Sequence, residues 1–291
     1  MFLNYLYKFF DDSHAMQRAG YNGEDLFSAK QFIVMGLIFI LIIVISILLR
    51  KARKEKLFLI YKVLAIIMPL NEIIKITYST YFDFKNGDQF NWGGILPLYT
   101  CSMLLYFLPF VAFGKGKLRD YSIAFFATIG MVAGFSNFIY LSSASFYPIF
   151  SYGAFYSIFY HAVIVFVGMS LIITGVYKPT FKSVFDGMVP VVLFSIVVIP
   201  INFIIRYNTN DTWVDYMMLM NANGFPIIGD FSNMLASHGL LLVFSLLMLF
   251  VAYPLATLLI VLIEMGIAKL VDFIKDKITK KEENANTVES V

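Results

Sequence analysis

The chain has 291 residues, of which 59% are apolar or aromatic and only 14% charged, whereas a soluble globular domain carries about 25% charged residues. A mean hydropathy of +0.77, with 31 Phe and 18 Tyr, marks a polytopic membrane protein and excludes a soluble enzyme. The net charge of +3 comes from basic loops and carries no nucleic-acid signal, and a single cysteine excludes an internal disulfide and a thiolate-built structural metal site.

A hydrocarbon core of about 30 Å takes about 20 apolar residues as a helix. Seven stretches meet that length: 31–49, 57–81, 95–113, 119–141, 153–176, 184–206 and 234–267. The expected fold is therefore all-α, a bundle of seven transmembrane helices spanning residues 31–267. Residues 1–30 precede it and hold a possible interfacial helix over 1–10. The polar tail 268–291 follows and is expected to fray over 275–291. The first stretch is not a signal peptide, because it is too long, starts at residue 31 and is followed by its basic residues. The connection 207–233 is rich in Asn, Asp and Gly and reads equally as a lid or a plain connector.

The charges orient the bundle. Fifteen basic residues fall in the loops after stretches one, three and five and in the tail, among them Arg50, Lys51, Lys117, Lys178 and Lys275. The opposite loops hold five basic residues against nine acidic ones, including Asp83, Asp211 and Asp230. Basic residues favour the cytoplasmic side. The N-terminus is thus expected outside, the C-terminus in the cytoplasm, and the protein multi-pass in the cell membrane.

Polar side chains inside a bilayer are costly and face the bundle or a cavity. Most of them here cluster in the half of the bundle expected to lie outward. Asn71, Glu72 and Lys75 lie on the second stretch, Asn137 ends the fourth, Asn202 ends the sixth, and Asn233, Ser237 and His238 open the seventh. At 1.5 Å per residue, Cys101 lies about 9 Å and His161 about 12 Å below the outer ends of their stretches. A small-residue stripe of Ala154, Ser157 and Gly168 places His161 on a packed face. Matching depth allows a nucleophile–base pair, with His161 drawing the proton from the Cys101 thiol. A packing role for the cysteine is the bland alternative.

The remaining candidates carry two readings each. Glu72 and Lys75, one helical turn apart, form either a packing ion pair or a headgroup or ion site. Asn202 serves either as an oxyanion donor or as a helix-to-helix hydrogen bond. His238 sits near the interface. A retinal-type sensor is disfavoured because the seventh stretch has no lysine before Lys269.

Leu96-Pro97-Leu98-Tyr99-Thr100-Cys101 resembles the LPLH-x-C signature of the YwaF-type integral membrane proteins. Phe155-Tyr156-Ser157-Ile158-Phe159-Tyr160-His161 is similar to that family's second, aromatic signature ending in His. Asn202 followed by Asp215-Tyr216-Met217-Met218-Leu219 is similar to its third. The resemblance covers about residues 30–265. Tyr99 stands where the family has His, and Asp215 where it has Asn. The family includes a mammalian branch that acylates ether phospholipids. The resemblance implies Cys101 and His161 as a catalytic pair, a thioester route for transacylation, membrane lipids as partners and no cofactor or metal. Asn202, Glu72, Lys75, Asn71, Tyr99, Asn137 and His238 are the candidate substrate-binding residues. The competing expectation is a small-solute transporter, or its substrate-binding membrane subunit, built on Glu72 and Lys75.

Overall fold

The computed structural model describes residues 4, 9–10, 29–52, 54–86, 92–139, 151–209, 214–220 and 226–289. Among these residues every regular element is helical. α1 is Ala29–Arg50, α2 Lys54–Asn86, α3 Met103–Phe113, α4 Lys117–Ile139, α5 Tyr152–Ile173, α6 Lys182–Thr209, α7 Pro226–Ser237, and α8 runs from Leu241 through its apolar part, Leu241–Phe273. Six of them (α1, α2, α4, α5, α6 and α8) are long and apolar enough to cross a membrane. The chain is a multi-pass membrane protein by this measure.

Exposure follows from that environment. Leu37, Leu41 and Leu48 on α1 and Leu255, Leu259 and Ile263 on α8 are all exposed. In water such rows of bare leucine would aggregate; against lipid tails they cost nothing. α1 buries only a narrow stripe, with Met35 and Ile42 packed on Val165 of α5 and Phe138 of α4.

The main core is shared by α2 to α6. Tyr61 and Met68 of α2, Leu104 and Leu108 of α3, Phe125 and Phe126 of α4, Ile164 and Val167 of α5, and Val191 and Val198 of α6 meet in one cluster. α4 widens into a π-bulge at Phe126–Gly130, where Thr128 leaves helical geometry and its Oγ1 donates to Ala124 O at 2.6 Å. Two glycines let the neighbouring helices close on the bulge. A Cβ on Gly168 of α5 would lie 2.5 Å from Phe126 O, and one on Gly187 of α6 would lie 2.6 Å from Thr128 Oγ1. Close backbone approach through small residues is how helices associate where lipid gives no hydrophobic drive.

The loop charges gather at one end of the bundle. The Arg119 guanidinium at the start of α4 lies 4.5 Å from the Phe58 ring near the start of α2, and Lys62 Nζ lies 5.9 Å from the Phe113 ring at the end of α3. This is the basic end; the other is the acidic end.

Four expectations need correction. Stretch 95–113 is not one helix. A single turn, Trp92–Ile95, is followed by non-helical residues 96–102 and then by the 11-residue α3. Pro97 explains the break, since it offers no N–H and pushes Leu96 out of helical geometry. At 1.5 Å per residue α3 spans about 16 Å, roughly half a bilayer core. Stretch 234–267 is likewise broken at His238-Gly239-Leu240, between α7 and α8. The tail does not fray within the described residues, because helix continues to Glu289. The basic half is also not purely apolar: Glu264 of α8 is buried there, with neither carboxylate oxygen hydrogen-bonded. Beside it Tyr177 is buried with its hydroxyl unpaired, and that burial pushes the hydroxyl well above its ordinary range.

Most of the proposed interfacial helix over residues 1–10 lies outside the described residues. Phe9 and Phe10 are described and helical, and both pack on Tyr152, at 6.0 Å and 4.9 Å between ring centroids.

Candidate functional site

The break before α3 and the middle of α5 face each other across a cavity of about 180 Å³. Leu96, Pro97, Tyr99, Cys101 and Ser102 line one wall, Tyr156, Ser157, Tyr160 and His161 the other, and Lys75 of α2 joins them. The four α5 residues recur at i, i+1, i+4 and i+5, so one helical face presents them all. The volume equals about six water molecules at 30 Å³ each.

Cys101 is half-buried in the turn Thr100–Ser102 that starts α3; Leu104 N donates to Cys101 O at 3.1 Å, and Leu105 N to Ser102 O at 3.0 Å. The helical depth assigned to Cys101 does not apply, since the residues before it are not helical. Cys101 and His161 nonetheless reach the same cavity. No hydrogen bond joins their side chains among the described residues.

The His161 ring is oriented by its own helix. Nδ1 lies 2.7 Å from Ser157 O. A carbonyl only accepts, so Nδ1 carries the proton and donates. In the neutral ring Nε2 then holds the free lone pair, which is the form a general base needs.

The polar residues of α2 sit beside this wall. Lys75 Nζ donates to Glu72 Oε1 at 3.1 Å and lies 5.6 Å from the Tyr156 ring centroid. The Tyr156 hydroxyl donates to Glu72 Oε2. Glu72 is therefore a buried bracket for two cavity residues and is not itself on the cavity wall. Asn71 is off the cavity wall, and its Oδ1 accepts from the Tyr152 hydroxyl at 2.6 Å. Tyr99 lines the cavity, and its ring packs edge-on against Tyr216 at 5.1 Å.

Three candidates are elsewhere. Asn137 is half-buried near the end of α4, with Oδ1 unpaired and away from the cavity. His238 is exposed at the α7–α8 break, with Nδ1 2.8 Å from Met234 O. Asn202 is fully buried and clasps the backbone of Tyr216: Nδ2 donates to Tyr216 O at 2.9 Å, and Oδ1 accepts from Tyr216 N at 3.0 Å. It does not line the cavity.

That clasp shows what the third signature does. Residues 214–220 are neither lid nor plain connector. Five of the seven positions there, Val214, Tyr216, Met217, Leu219 and Met220, are buried apolar side chains. The segment plugs the acidic end of the bundle. Met217 and Met218 adopt φ of 60° and 52°, a left-handed geometry that costs non-glycine residues energy. Side chains hold it there. Tyr253 donates to Met217 O at 2.8 Å, Ser245 to Leu219 O at 2.6 Å, and Ser232 to Met220 O at 2.7 Å. Asp215 Oδ1 accepts from Met220 N at 2.8 Å, so the carboxylate at the departure from the family pattern closes a local turn. The Tyr253 hydroxyl also lies 2.7 Å from Thr100 Oγ1, which ties the plug to the turn carrying Cys101. Trp213 and residues 221–225 lie outside the described residues.

Sequence reasoning missed Tyr156, Ser157, Tyr160 and Ser102 as cavity residues. The i, i+4 spacing of Ser157 and His161 was a usable signal for α5, whereas Ser102 depends on a turn that helical periodicity does not foresee.

A family model described as the TMEM164 family matches residues 26–251 of the chain. No curated protein and no solved structure matches it. The matched residues include Cys101, His161, Asn202 and the plug. The chain belongs to the TMEM164 family, a family of transmembrane proteins.

Proposed function

We propose that this protein is an integral membrane acyltransferase of the YwaF type, which moves a fatty acyl chain between lipids through a thioester on Cys101. The supporting observation is that the chain's single thiol and a membrane-embedded imidazole with its Nε2 lone pair free line one cavity. In the first half-reaction His161 Nε2 takes the thiol proton as Sγ adds to the donor's ester carbonyl. The C–O bond breaks, and the departing lysolipid oxygen takes that proton back. In the second half-reaction His161 removes the proton from an acceptor hydroxyl, the new ester C–O bond forms, and Cys101 leaves as thiol. Lys75, held by Glu72, is placed for the phosphate of a lipid headgroup. No cofactor or metal takes part in this scheme.

In the same reading the chain crosses the cell membrane seven times, with stretch 95–113 as a broken seventh crossing. An even number of crossings would put both termini on one side and set the basic loops against the positive-inside bias. Seven crossings put the N-terminus outside and the basic end in the cytoplasm. The cavity then opens toward the outer leaflet.

The test is intact-mass spectrometry of the protein in lipid nanodiscs. An acyl adduct that maps to Cys101, reverses with hydroxylamine and is absent in Cys101→Ala and His161→Ala supports the proposal. No adduct in the wild type across phosphatidylethanolamine, phosphatidylcholine and phosphatidylglycerol refutes it. The Glu72–Lys75 pair beside the cavity favours solute capture as a second reading. On that reading transport or binding survives Cys101→Ala and is lost in Lys75→Met.

A further inference from the structure

The acyl-transfer reading needs a donor for the oxygen that becomes negative when Sγ adds to the carbonyl, and Asn202 is not on the cavity wall. Tyr160 has the required properties. It lies on the cavity wall, one position before His161 on α5, and is 2% exposed. Its hydroxyl is fully buried and forms no hydrogen bond among the described residues. Cys101 and Ser102 line the same cavity. Other tyrosine hydroxyls around the site are engaged: Tyr152 with Asn71, Tyr156 with Glu72, Tyr216 with Trp92 O and Tyr253 with Met217.

An unpaired hydroxyl buried in an apolar wall costs stability. Phenylalanine would fill the same space without that cost. A buried donor belonging to a residue of the cavity wall, with no partner in the resting state, suits a preorganised oxyanion site, since it has no bond to break when charge develops.

We propose that the Tyr160 hydroxyl is the oxyanion donor of this enzyme. The inference rests on the acyl-transfer reading. As Sγ bonds to the carbonyl carbon, the C=O electron pair moves onto oxygen, and Tyr160 O–H donates a hydrogen bond to it. The thiol proton is on His161 Nε2 at that stage. Collapse restores C=O and expels the leaving oxygen, and Tyr160 keeps its proton throughout.

The experiment compares two reactions at the same sulfur in nanodisc-embedded protein. p-Nitrophenyl decanoate acylates a thiol through a tetrahedral oxyanion and releases p-nitrophenolate. Iodoacetamide alkylates it by displacement, with no oxyanion. Tyr160→Phe is expected to slow the p-nitrophenolate burst about 10²–10³-fold and to leave the alkylation rate within about twofold. Ser102→Ala is the comparison variant, because Ser102 also carries a hydroxyl on that wall. Equal burst rates in wild type and Tyr160→Phe overturn the proposal, as does a parallel loss of both reactions, or a burst lost in Ser102→Ala and kept in Tyr160→Phe. A wild-type protein that alkylates but shows no burst overturns the acyl-transfer reading itself. The first three results leave that reading standing, so the two failures are distinct.

Discussion

Asn202 is the keystone of the acidic end, and its replacement by alanine tests that directly. The side chain makes two hydrogen bonds, both to the backbone of Tyr216, at 2.9 and 3.0 Å, and both partners are buried. Truncation leaves a buried N–H and a buried C=O unpaired, each worth about 1–3 kcal/mol. Water reaching the gap would recover part of the loss, so we expect about 3 kcal/mol. At about 2–4 °C per kcal/mol for a chain of this size, the aggregation temperature in detergent should fall by about 6–12 °C. Release of Tyr216 also removes the ring against Tyr99 and, through Met217, the partner of Tyr253 that is bonded to Thr100. Cys101 should then react faster with a charged, membrane-impermeant maleimide added to nanodiscs. Differential scanning fluorimetry and maleimide labelling measure the two effects. A variant melting within about 1 °C of wild type, with unchanged labelling, would refute the keystone role.

Other outcomes follow from single contacts. Gly168→Ala places a Cβ 2.5 Å from the backbone oxygen of Phe126 and should cost about 1–3 kcal/mol by overpacking, seen as a lower melting temperature with the cavity residues intact. Met218→Gly relieves a φ of 52° at an exposed position and should stabilise the protein by about 1 kcal/mol. Glu264→Met removes a buried carboxyl group with both oxygens unpaired and should raise the melting temperature, since a buried polar group without a partner costs about 1–3 kcal/mol. Lys75→Met should slow acyl transfer from a phospholipid more than tenfold and leave acylation by p-nitrophenyl decanoate unchanged, because only the phospholipid presents a phosphate to the lost ammonium.

Helical class and crossing helices were legible in the sequence because a bilayer imposes a length on any apolar run. Each of the six long apolar helices coincides with a predicted stretch. Gly168 was legible as a packing position for the same reason, since lipid rewards only close backbone approach. Cys101, His161 and Lys75 were also recognisable as polar or reactive groups placed at bilayer depth, Tyr99 entered only through the motif resemblance, and all four line one cavity.

What the sequence alone could not decide concerns partners far apart along the chain. Asn202 looked free to receive a substrate oxygen; only the fold shows it occupied by Tyr216, fourteen residues later. Asp215 looked like a departure from a pattern, and the structure makes it a turn closure. Tyr160 looked like one aromatic among many, and only the tertiary structure puts it on the cavity wall with its hydroxyl unpartnered. The physical reason is the same in each case. Hydropathy and periodicity are properties of a segment and its solvent, so they can be read locally. Whether a polar group is engaged or available depends on which distant group the fold brings within 3 Å, and that is a property of the tertiary structure alone.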